Sequence, residues 1–289
     1  MSKIVLIGSN GQLAHDLIGA LQDKAEVIGL THNDIEITDH QQTYALLKEL
    51  QPQTIINTAA YHRVDEMEDN ITKAFAVNAE AIRNLALISR EIDATLVHYS
   101  TDYVFGGDKT RQQPYIETDP PFPINVYGNS KLAGEFFVRD IAPKHFVIRS
   151  SGLYGIAGSS GKGGNFIETM IKRAKEGKPT KVVADQRLTP TSTADLAAKT
   201  VELLTTEAYG LYHITNSGDC TWFEFAQAIF EHTIYPPEFS ATTTAEFGAR
   251  ATRPSYSVLD NYNLRAIGLE ELRPWQEALQ DYLIHKGHI

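Results

Sequence analysis

The chain has 289 residues, of which 42% are hydrophobic and 21% are charged, and its net charge at pH 7 is −10. That length allows one large domain or two smaller ones with a substantial core. The acidic balance argues against nucleic acid as a partner, because proteins bind phosphate backbones with lysine and arginine. The single cysteine, Cys220, excludes an internal disulfide and is typical of a reducing cytoplasm.

The sequence gives no indication of a membrane segment or a metal site. No apolar run approaches the roughly 20 residues that a membrane-spanning helix needs. The first apolar run is short and enters a glycine turn directly, unlike a secretory signal peptide. The ten histidines do not follow common zinc-binding spacings, so we predict no metal.

The chain opens with a predicted strand and a glycine turn. Ile4-Val5-Leu6-Ile7 is a short apolar run rich in β-branched residues, which is typical of a strand buried on both faces. Gly8 and Gly11 follow it in a G-x-x-G-x-x-A pattern that leads into a helix-like run at 12–21. Such a turn brings backbone N–H groups and the positive end of a helix to a phosphate. It predicts a dinucleotide site, with an ordinary strand–helix turn as the alternative.

Strand-like and helix-like stretches alternate through the rest of the first half. The predicted elements are strands at 26–31, 54–57 and 95–99, and helices at 39–50 and 71–92. This alternation predicts an α/β fold with a Rossmann-like, doubly wound parallel sheet. Ligands of such sheets lie beyond the carboxyl ends of the strands.

The second half is less regular. It contains a proline-rich loop at 110–123. It also contains a glycine-rich loop at 155–164, and we expect this second loop to be mobile. Its other predicted elements are helices at 126–140, 193–204 and 222–231, strands at 146–148 and 210–214, and a last helix ending near 285. We expect a nucleotide-binding domain at 1–150 and a smaller, mainly substrate-binding lobe at 151–289. Some segments of the substrate-binding lobe are expected to return to the nucleotide-binding domain.

Three helix starts carry markers in the sequence. Asp39 with Gln42, and Thr221 with Glu224, have the spacing of a capping box. Pro274 falls in the predicted first turn of the last helix, where its missing N–H costs nothing.

The residues just after each strand are candidates for ligand binding, because these strand ends share one edge of the sheet. After the second strand, Thr31 has no carboxylate next to it, although Asp34 and Glu36 lie slightly beyond. Since nothing immediately there would repel a 2′-phosphate, we expect NADPH to be used at least as well as NADH. After the third strand, Ala59 and Ala60 are small enough to let a nucleotide lie close.

Tyr127 and Lys131 are four residues apart and share one face of a predicted helix. A free tyrosine has a pKa of about 10, and a neighbouring ammonium would lower it. The same spacing recurs in two predicted surface pairs, Tyr44 with Lys48 and Tyr282 with Lys286. Tyr127 differs by its context, because it follows the strand that ends at Thr101. The hydroxyl of Thr101 can bond the same carbonyl oxygen as the phenol.

The order of these motifs resembles a known family. The glycine turn, Ser100-Thr101-Asp102-Tyr103-Val104-Phe105 and Tyr127-x-x-x-Lys131 are arranged as in extended short-chain dehydrogenase/reductases. Further stretches of this chain support a narrower match within that group. They are Gly11-Gln12-Leu13, Ala59-Ala60-Tyr61, Val64-Asp65, Asn125-Val126-Tyr127-Gly128, Asp185-Gln186, Pro190-Thr191, Gly210-Leu211-Tyr212-His213 and Arg253-Pro254. Within that group, almost the whole chain resembles the dTDP-4-dehydrorhamnose reductase family.

The resemblance implies a mechanism. Tyr127 would donate a proton to the C4 keto oxygen of the sugar while the nicotinamide delivers hydride to C4. Lys131 would hold the nicotinamide ribose and lower the pKa of Tyr127, and Thr101 would bond the reacting oxygen or Tyr127. Asp102 is expected to touch the sugar, with a turn-capping role as its alternative.

The resemblance also implies where the cofactor lies, with NADPH expected and NADH as an alternative. The turn would lie along the pyrophosphate, and Glu36 and Ile37 would lie beside the adenosine. Ala60 to His62 would line the nicotinamide side. For Tyr61, the alternative is a core aromatic that does not contact the cofactor. The expected cofactor residues are Gly8, Asn10, Gly11, Gln12, Leu13, Thr31, Glu36, Ile37, Ala59, Ala60, Tyr61, His62, Tyr127 and Lys131.

Three departures from the family pattern lie near the expected sugar pocket. Gly152 stands where the family has a tryptophan against the sugar, the loop at 156–164 is longer, and His62-Arg63 replaces a small pair. Gly152 is counted among the expected substrate residues with Thr101, Asp102 and Tyr127. We expect either that the long loop fills the gap or that the pocket is wider. A wider pocket would raise the KM for the deoxysugar, and Gly152→Trp would partly restore it.

The resulting expectation is an enzyme of cell-surface polysaccharide synthesis. It would use NADPH to reduce the 4-keto group of a nucleotide-linked 6-deoxy sugar, converting dTDP-4-dehydrorhamnose to dTDP-L-rhamnose. A catalytically silent NADP-binding regulatory subunit is one alternative, and a sugar-nucleotide epimerase or dehydratase is another. The dehydratase is disfavoured because Asp102 is followed by Tyr103 and not by a second carboxylate. We expect a cytoplasmic protein, with a homodimer as one assembly.

Overall fold

A computed structural model describes residues 1–158, 164–233 and 238–289. The strands in these ranges are β1 Ser2–Ile7, β2 Ala25–Leu30, β3 Thr54–Asn57, β4 Thr95–Thr101, β5 His145–Ser150, β6 Leu153–Tyr154, β7 Thr180–Val183, β8 Arg187–Leu188, β9 Thr191–Ser192, β10 Gly210–His213, β11 Cys220–Thr221 and β12 Phe239–Thr242. The α-helices are α1 Gln12–Leu21, α2 His40–Leu50, α3 Val64–Met67, α4 Ile71–Phe75, α5 Ala81–Glu91, α6 Val126–Ile141, α7 Phe166–Lys175, α8 Thr193–Leu203, α9 Trp222–Glu231, α10 Thr244–Phe247, α11 Tyr262–Ala266 and α12 Trp275–His285.

A parallel sheet lies at the centre, with the strand order β10-β5-β4-β3-β1-β2 in the part of the chain that is described. The order reverses between β1 and β3, as it does in doubly wound sheets. The predicted fold is therefore confirmed. No helix in the described ranges is both long and apolar enough to cross a membrane.

The opening strand is buried on both faces, as its apolar run predicts. Ile4 and Leu6 pack with α1 and α8 on one side of the sheet. Val5 and Ile7 pack with α2, α5 and α6 on the other. Side chains alternate between the two faces of a strand, so a strand covered on both sides needs an apolar residue at every position.

Segments after residue 150 contribute both to this sheet and to a separate apolar cluster. Strand β10 pairs with β5, and α8 packs against α1, so both join the first half. The separate cluster contains Tyr154, Phe225, Trp275 and Tyr282, so the prediction that Tyr282 lies in a surface pair is wrong. The division into domains at 1–150 and 151–289 stays a prediction.

Two helix starts differ in detail from their sequence markers. The Asp39 side chain accepts from the Gln42 amide at 3.0 Å, but Gln42 Oε1 accepts from the Glu36 amide and not from Asp39. Pro274 precedes α12 as its N-cap residue instead of lying in its first turn. The capping box of Thr221 and Glu224 is confirmed. Half of the predicted mobile loop, residues 159–163, lies outside the described residues.

The long helix predicted at 71–92 is interrupted by a π-helical segment at Ala76–Glu80. Asn78 in this segment brackets the Tyr61 backbone, donating to its carbonyl and accepting from its amide, both at 2.9 Å. Asn78 Nδ2 also lies 3.1 Å from Ser130 Oγ on α6. Such π-helical segments are rare and short, so the sequence pattern at 71–92 predicted one continuous helix.

Helix α6 approaches the π-helical segment so closely that only glycine fits at residue 134. A Cβ on Gly134 would lie 2.3 Å from the Asn78 carbonyl oxygen. We expect Gly134→Ala to lower the free energy of unfolding by about 1–3 kcal/mol through overpacking. Gly19→Ala on α1, where a Cβ meets nothing within 4 Å, should raise it by about 0.5–1 kcal/mol. Urea denaturation measures both, and equal effects would contradict the close approach.

Candidate active site

The glycine turn after β1 is built as the sequence predicts. Gly8 has φ +82°, and a Cβ there would lie 2.8 Å from Thr58 Oγ1 and 2.9 Å from the Ala59 nitrogen. Gly11 begins α1 without a side-chain cap. The first N–H groups of α1 are therefore left for an external acceptor such as a phosphate.

Three other residues of this turn differ in what they can offer a ligand. Asn10 is exposed, whereas the Leu13 side chain is buried in the core, so Leu13 can face a pyrophosphate only through its backbone. Gln12 Nε2 donates to the Leu153 carbonyl at 3.4 Å. Its Oε1 is buried with no hydrogen-bond partner among the described residues. Buried polar atoms are rarely left unsatisfied, so this oxygen indicates a missing donor such as a bound hydroxyl.

The end of β2 differs from the expectation that no carboxylate lies next to Thr31. Asp34 Oδ2 accepts from both the Thr31 amide (2.8 Å) and the Thr31 hydroxyl (2.7 Å). These two bonds lower the pKa of Asp34, which keeps its carboxylate ionised. The expectation is wrong because a turn folds Asp34 back onto the strand end.

The two residues expected beside the adenosine are placed differently from each other. Glu36 accepts from the Thr38 amide at 3.0 Å and from its hydroxyl at 2.7 Å. Burial opposes these bonds, but they hold the pKa of Glu36 below its usual value. The Ile37 side chain is buried in the core, so only its backbone remains for a cofactor.

The segment after β3 lies over the same edge of the sheet. Ala59 and Ala60 are half-buried, and His62 Nδ1 lies 3.2 Å from the Ala60 carbonyl oxygen. Tyr61 is also half-buried, with its hydroxyl 3.4 Å from Glu66 and the Lys73 ammonium 5.0 Å from its ring centre. The alternative of Tyr61 as a core aromatic is therefore wrong.

Tyr127 is placed by the start of α6. The Asn125 side chain caps this helix by accepting from the Gly128 amide at 2.7 Å. A Cβ on Gly128 would lie 2.1 Å from the Tyr103 carbonyl oxygen, so glycine lets α6 press against the turn after β4. The Tyr103 and Tyr127 rings meet edge to face with centroids 5.8 Å apart.

The environment keeps the Tyr127 phenol protonated. Burial raises the pKa of Tyr127 to about 12, and the nearby Asp102 acts in the same direction. The Thr101 hydroxyl opposes this rise. The protein alone therefore does not lower this pKa through Lys131, contrary to the sequence expectation. A phenol with a raised pKa remains able to donate a proton at neutral pH.

Lys131 lies one helical turn beyond Tyr127 and is 2% exposed. Burial lowers the pKa of Lys131 to about 8, with Glu135 opposing the shift. Its Nζ lies 3.4 Å from Nε2 of His98, a buried residue of β4. The Lys131 side chain thus points into the sheet, towards a histidine that nothing in the local sequence pattern marks as its partner.

Asp102 is buried among hydroxyl groups. It accepts from Ser257 Oγ at 2.6 Å, from Ser151 Oγ at 2.9 Å and from Thr101 Oγ1 at 3.1 Å. Burial raises the pKa of Asp102 to about 6, and these bonds oppose the rise. The capping alternative is wrong, because Thr101 and not Asp102 accepts from the Tyr103 amide. Contact of Asp102 with a sugar stays a prediction.

The space beside Gly152 is already filled along the direction of a side chain. Gly152 has φ +55°, and a Cβ there would lie 2.9 Å from Leu188 Cδ1 and 3.1 Å from Pro190 Cα. The expectation of a gap left by a missing indole is therefore wrong at this position. The Gly152 backbone favours glycine whatever the substrate.

Distant motifs of the sequence meet across the site. Asp65 accepts from the Arg253 guanidinium at 2.8 Å and from the Ala251 amide at 2.9 Å. Glu68 accepts from the Val126 amide at 2.9 Å, next to Tyr127. These contacts tie the segment after β3 both to α6 and to a late part of the chain. Among the residues that are described, no group of three or more His, Cys, Asp and Glu side chains could hold a metal ion.

Comparison with known proteins places this architecture in a family. A family model described as the RmlD substrate binding domain matches residues 2–287. Spore coat polysaccharide biosynthesis protein SpsK of Bacillus subtilis strain 168 is 39% identical over 284 residues, which cover 98% of this chain and 97% of that protein. dTDP-4-dehydrorhamnose reductase of Aggregatibacter actinomycetemcomitans is 33% identical over 296 residues, covering 97% and 98%.

A solved structure gives the same result. It is dTDP-4-dehydrorhamnose reductase of Bacillus anthracis strain Ames in complex with NADP, with a TM-score of 0.93 and 39% sequence identity. The match covers 98% of this chain and 99% of that chain. The resemblance predicted from the sequence is confirmed, and the chain belongs to the RmlD substrate binding domain family.

Proposed function

We propose that the chain reduces the 4-keto group of a dTDP-linked 6-deoxy sugar with NADPH, converting dTDP-4-dehydrorhamnose to dTDP-L-rhamnose. The observation that carries the proposal is the Tyr127 phenol, which packs edge to face against Tyr103 in the turn after Thr101. It lies at the carboxyl end of β4, one helical turn from Lys131. Relatives that are named dTDP-4-dehydrorhamnose reductase support the choice of sugar.

The proposed reaction adds a hydride and a proton across the C4 carbonyl. NADPH, when bound, supplies the hydride. Tyr127 gives its phenolic proton to the carbonyl oxygen, so that the ketone becomes an alcohol and the phenol a phenolate. The Thr101 hydroxyl, which donates to Asp102 at 3.1 Å in this structure, would turn to donate to the developing oxyanion and stabilise its charge. Because burial disfavours the phenolate, Tyr127 releases its proton only as hydride addition makes the carbonyl oxygen strongly basic.

The residues around the glycine turn fit a dinucleotide. The turn leaves no room for a side chain at Gly8, and α1 presents uncapped N–H groups. The unpartnered Gln12 Oε1 needs a donor, which a ribose hydroxyl would supply. NADP in the Bacillus anthracis relative supports the phosphorylated cofactor. The ionised Asp34 at the end of β2 opposes a strong preference for it.

A catalytically silent regulatory subunit is disfavoured because Thr101, Tyr127 and Lys131 are all present. Burial of Lys131 has a free-energy cost that a merely structural site would not need. An epimerase or dehydratase is disfavoured by Tyr103, which stands where a second carboxylate would be needed.

Assembly and location are part of the proposal. A homodimer is supported by three exposed apolar side chains on the neighbouring helices α4 and α6, namely Ile71, Phe75 and Phe136. Large exposed apolar side chains that lie close together often mark protein interfaces. A cytoplasmic location is supported by the single cysteine.

The proton donor is tested by Tyr127→Phe. We expect kcat/KM for the sugar to fall by about 100-fold or more, while NADPH affinity stays nearly unchanged, because only a transition-state interaction is lost. Tyr44→Phe is the matched control. That tyrosine has the same spacing to Lys48 but bonds Glu91 at 2.7 Å on the surface. Turnover of Tyr127→Phe within a few-fold of the parent would refute the assignment.

Cofactor preference is tested at Asp34. We expect the parent chain to use NADPH at least as well as NADH, and Asp34→Asn to favour NADPH further, because a negative charge beside the 2′-phosphate is removed. Asp108→Asn is the control, since Asp108 bonds Thr110 with the same geometry elsewhere. The measurement is kcat/KM with each cofactor. A tenfold preference of the parent for NADH would contradict the proposal.

The filled space beside Gly152 gives a prediction opposite to the one from sequence. We expect Gly152→Trp to destabilise the protein and not to lower the KM for the sugar. Gly152→Ala should lower the free energy of unfolding by about 1–3 kcal/mol. This loss of unfolding free energy should exceed the loss in Gly177→Ala, because Gly177 also has a positive φ but a Cβ there would meet nothing within 4 Å. A KM for the sugar that is lower in Gly152→Trp than in the parent chain would contradict this prediction and support an open gap beside Gly152.

A further inference from the structure

His98 and Asn57 form a buried chain that ends at Lys131. The His98 ring is fully buried, with Nε2 3.4 Å from Lys131 Nζ and Nδ1 3.4 Å from Asn57 Nδ2. Asn57 is 1% exposed. A Cβ on Gly134 of α6 would lie 3.5 Å from His98 Nε2, so the glycine lets the helix close over the ring.

The backbone of Ala59 fixes which way the Asn57 amide points. Asn57 Oδ1 accepts from the Ala59 amide at 3.2 Å, and Nδ2 donates to the Ala59 carbonyl at 3.3 Å. Reversing the side-chain amide would place oxygen against oxygen and N–H against N–H. The group that Asn57 presents to His98 is therefore a donor.

That donor decides the tautomer of His98. Burial and the Lys131 charge hold the pKa of His98 well below its usual value, so the ring is neutral and has one donor and one acceptor. Since Nδ1 faces a donor, Nδ1 accepts and the proton is on Nε2. An Nε2–H group can donate to a neutral amine but is repelled by an ammonium, which has no acceptor.

We propose that Asn57 and His98 are positioning residues that fix Lys131 through a hydrogen bond from His98 Nε2–H and so favour its uncharged amine. The charged groups around this chain are few. Glu135 on α6 favours the ammonium, but it is also paired with Arg149 of β5 at 2.6 Å. Tyr127, the other titratable group on this face of α6, is neutral at these pH values.

This arrangement makes the charge of Lys131 depend on pH within the working range. The lowered pKa of Lys131, about 8, means that the ammonium is present below that pH and is lost above it. Only the consequence for catalysis rests on the proposed function, in which the ammonium form of Lys131 holds the nicotinamide ribose. We expect kcat/KM for reduction to fall above about pH 8.

The test reads the histidine tautomers directly in the parent chain, with no substrate. Nitrogen NMR of ¹⁵N-histidine-labelled protein distinguishes a protonated Nδ1 from a protonated Nε2. We expect His98 to carry its proton on Nε2. His213 is the internal control, because its Nδ1 faces the Tyr115 carbonyl at 3.0 Å and must carry the proton. A proton on Nδ1 of His98 would overturn the proposal.

A second measurement follows the Lys131 titration in protein with ¹³C-labelled lysine, assigned by loss of its signal in Lys131→Met. In His98→Leu the repelling N–H is gone, so we expect the midpoint to rise by about one pH unit. A midpoint that falls or stays would overturn the proposal, since it would mean that His98 supports the ammonium. Neither measurement needs turnover, so an inactive chain would refute only the proposed function.

Discussion

The placement of the half-buried Tyr127 and the buried Lys131 against the end of β4 is the constraint on which the rest of the site depends. Water would stabilise both a phenolate and an ammonium, and the fold excludes most of it from Lys131 and part of it from Tyr127. As a result the phenol keeps its proton, while the lysine loses its charge more easily than a free lysine. Two groups on one helix face are thus shifted toward their neutral forms by the same physical cause.

This burial requires a helix that lies unusually close to its neighbours. Gly128 and Gly134 remove the side chains that would keep α6 away from the turn after β4 and from the π-helical segment. Asn78 uses the irregular backbone of that segment to hold Tyr61 and Ser130 together. Asn78 therefore connects the segment after β3 to α6, as Glu68 does through the Val126 amide, so a change in either element is expected to move the other.

The fold could be predicted from sequence because its patterns are local, and the same strand ends led to the proposed catalytic residues. The apolar run at 4–7 indicates a strand covered on both sides, and strand ends in a parallel sheet meet at one edge. The partners of Asp102 could not be predicted, since Ser151 and Ser257 lie 49 and 155 residues away along the chain. The filled space beside Gly152 could not be predicted, because the absence of a tryptophan does not indicate the Gly152 backbone angle or the position of Pro190. His98 looks like one more residue of a buried strand.

The central claim is hydride transfer to C4 of the sugar. The most direct measurement incubates the protein with dTDP-4-dehydrorhamnose and NADPH that carries deuterium at the transferred position of the nicotinamide. Proton NMR of the product then shows where the label went. We predict dTDP-L-rhamnose with deuterium at C4 in amounts that match the cofactor oxidised. Cofactor that binds but transfers no deuterium to any dTDP-4-keto sugar would contradict the account.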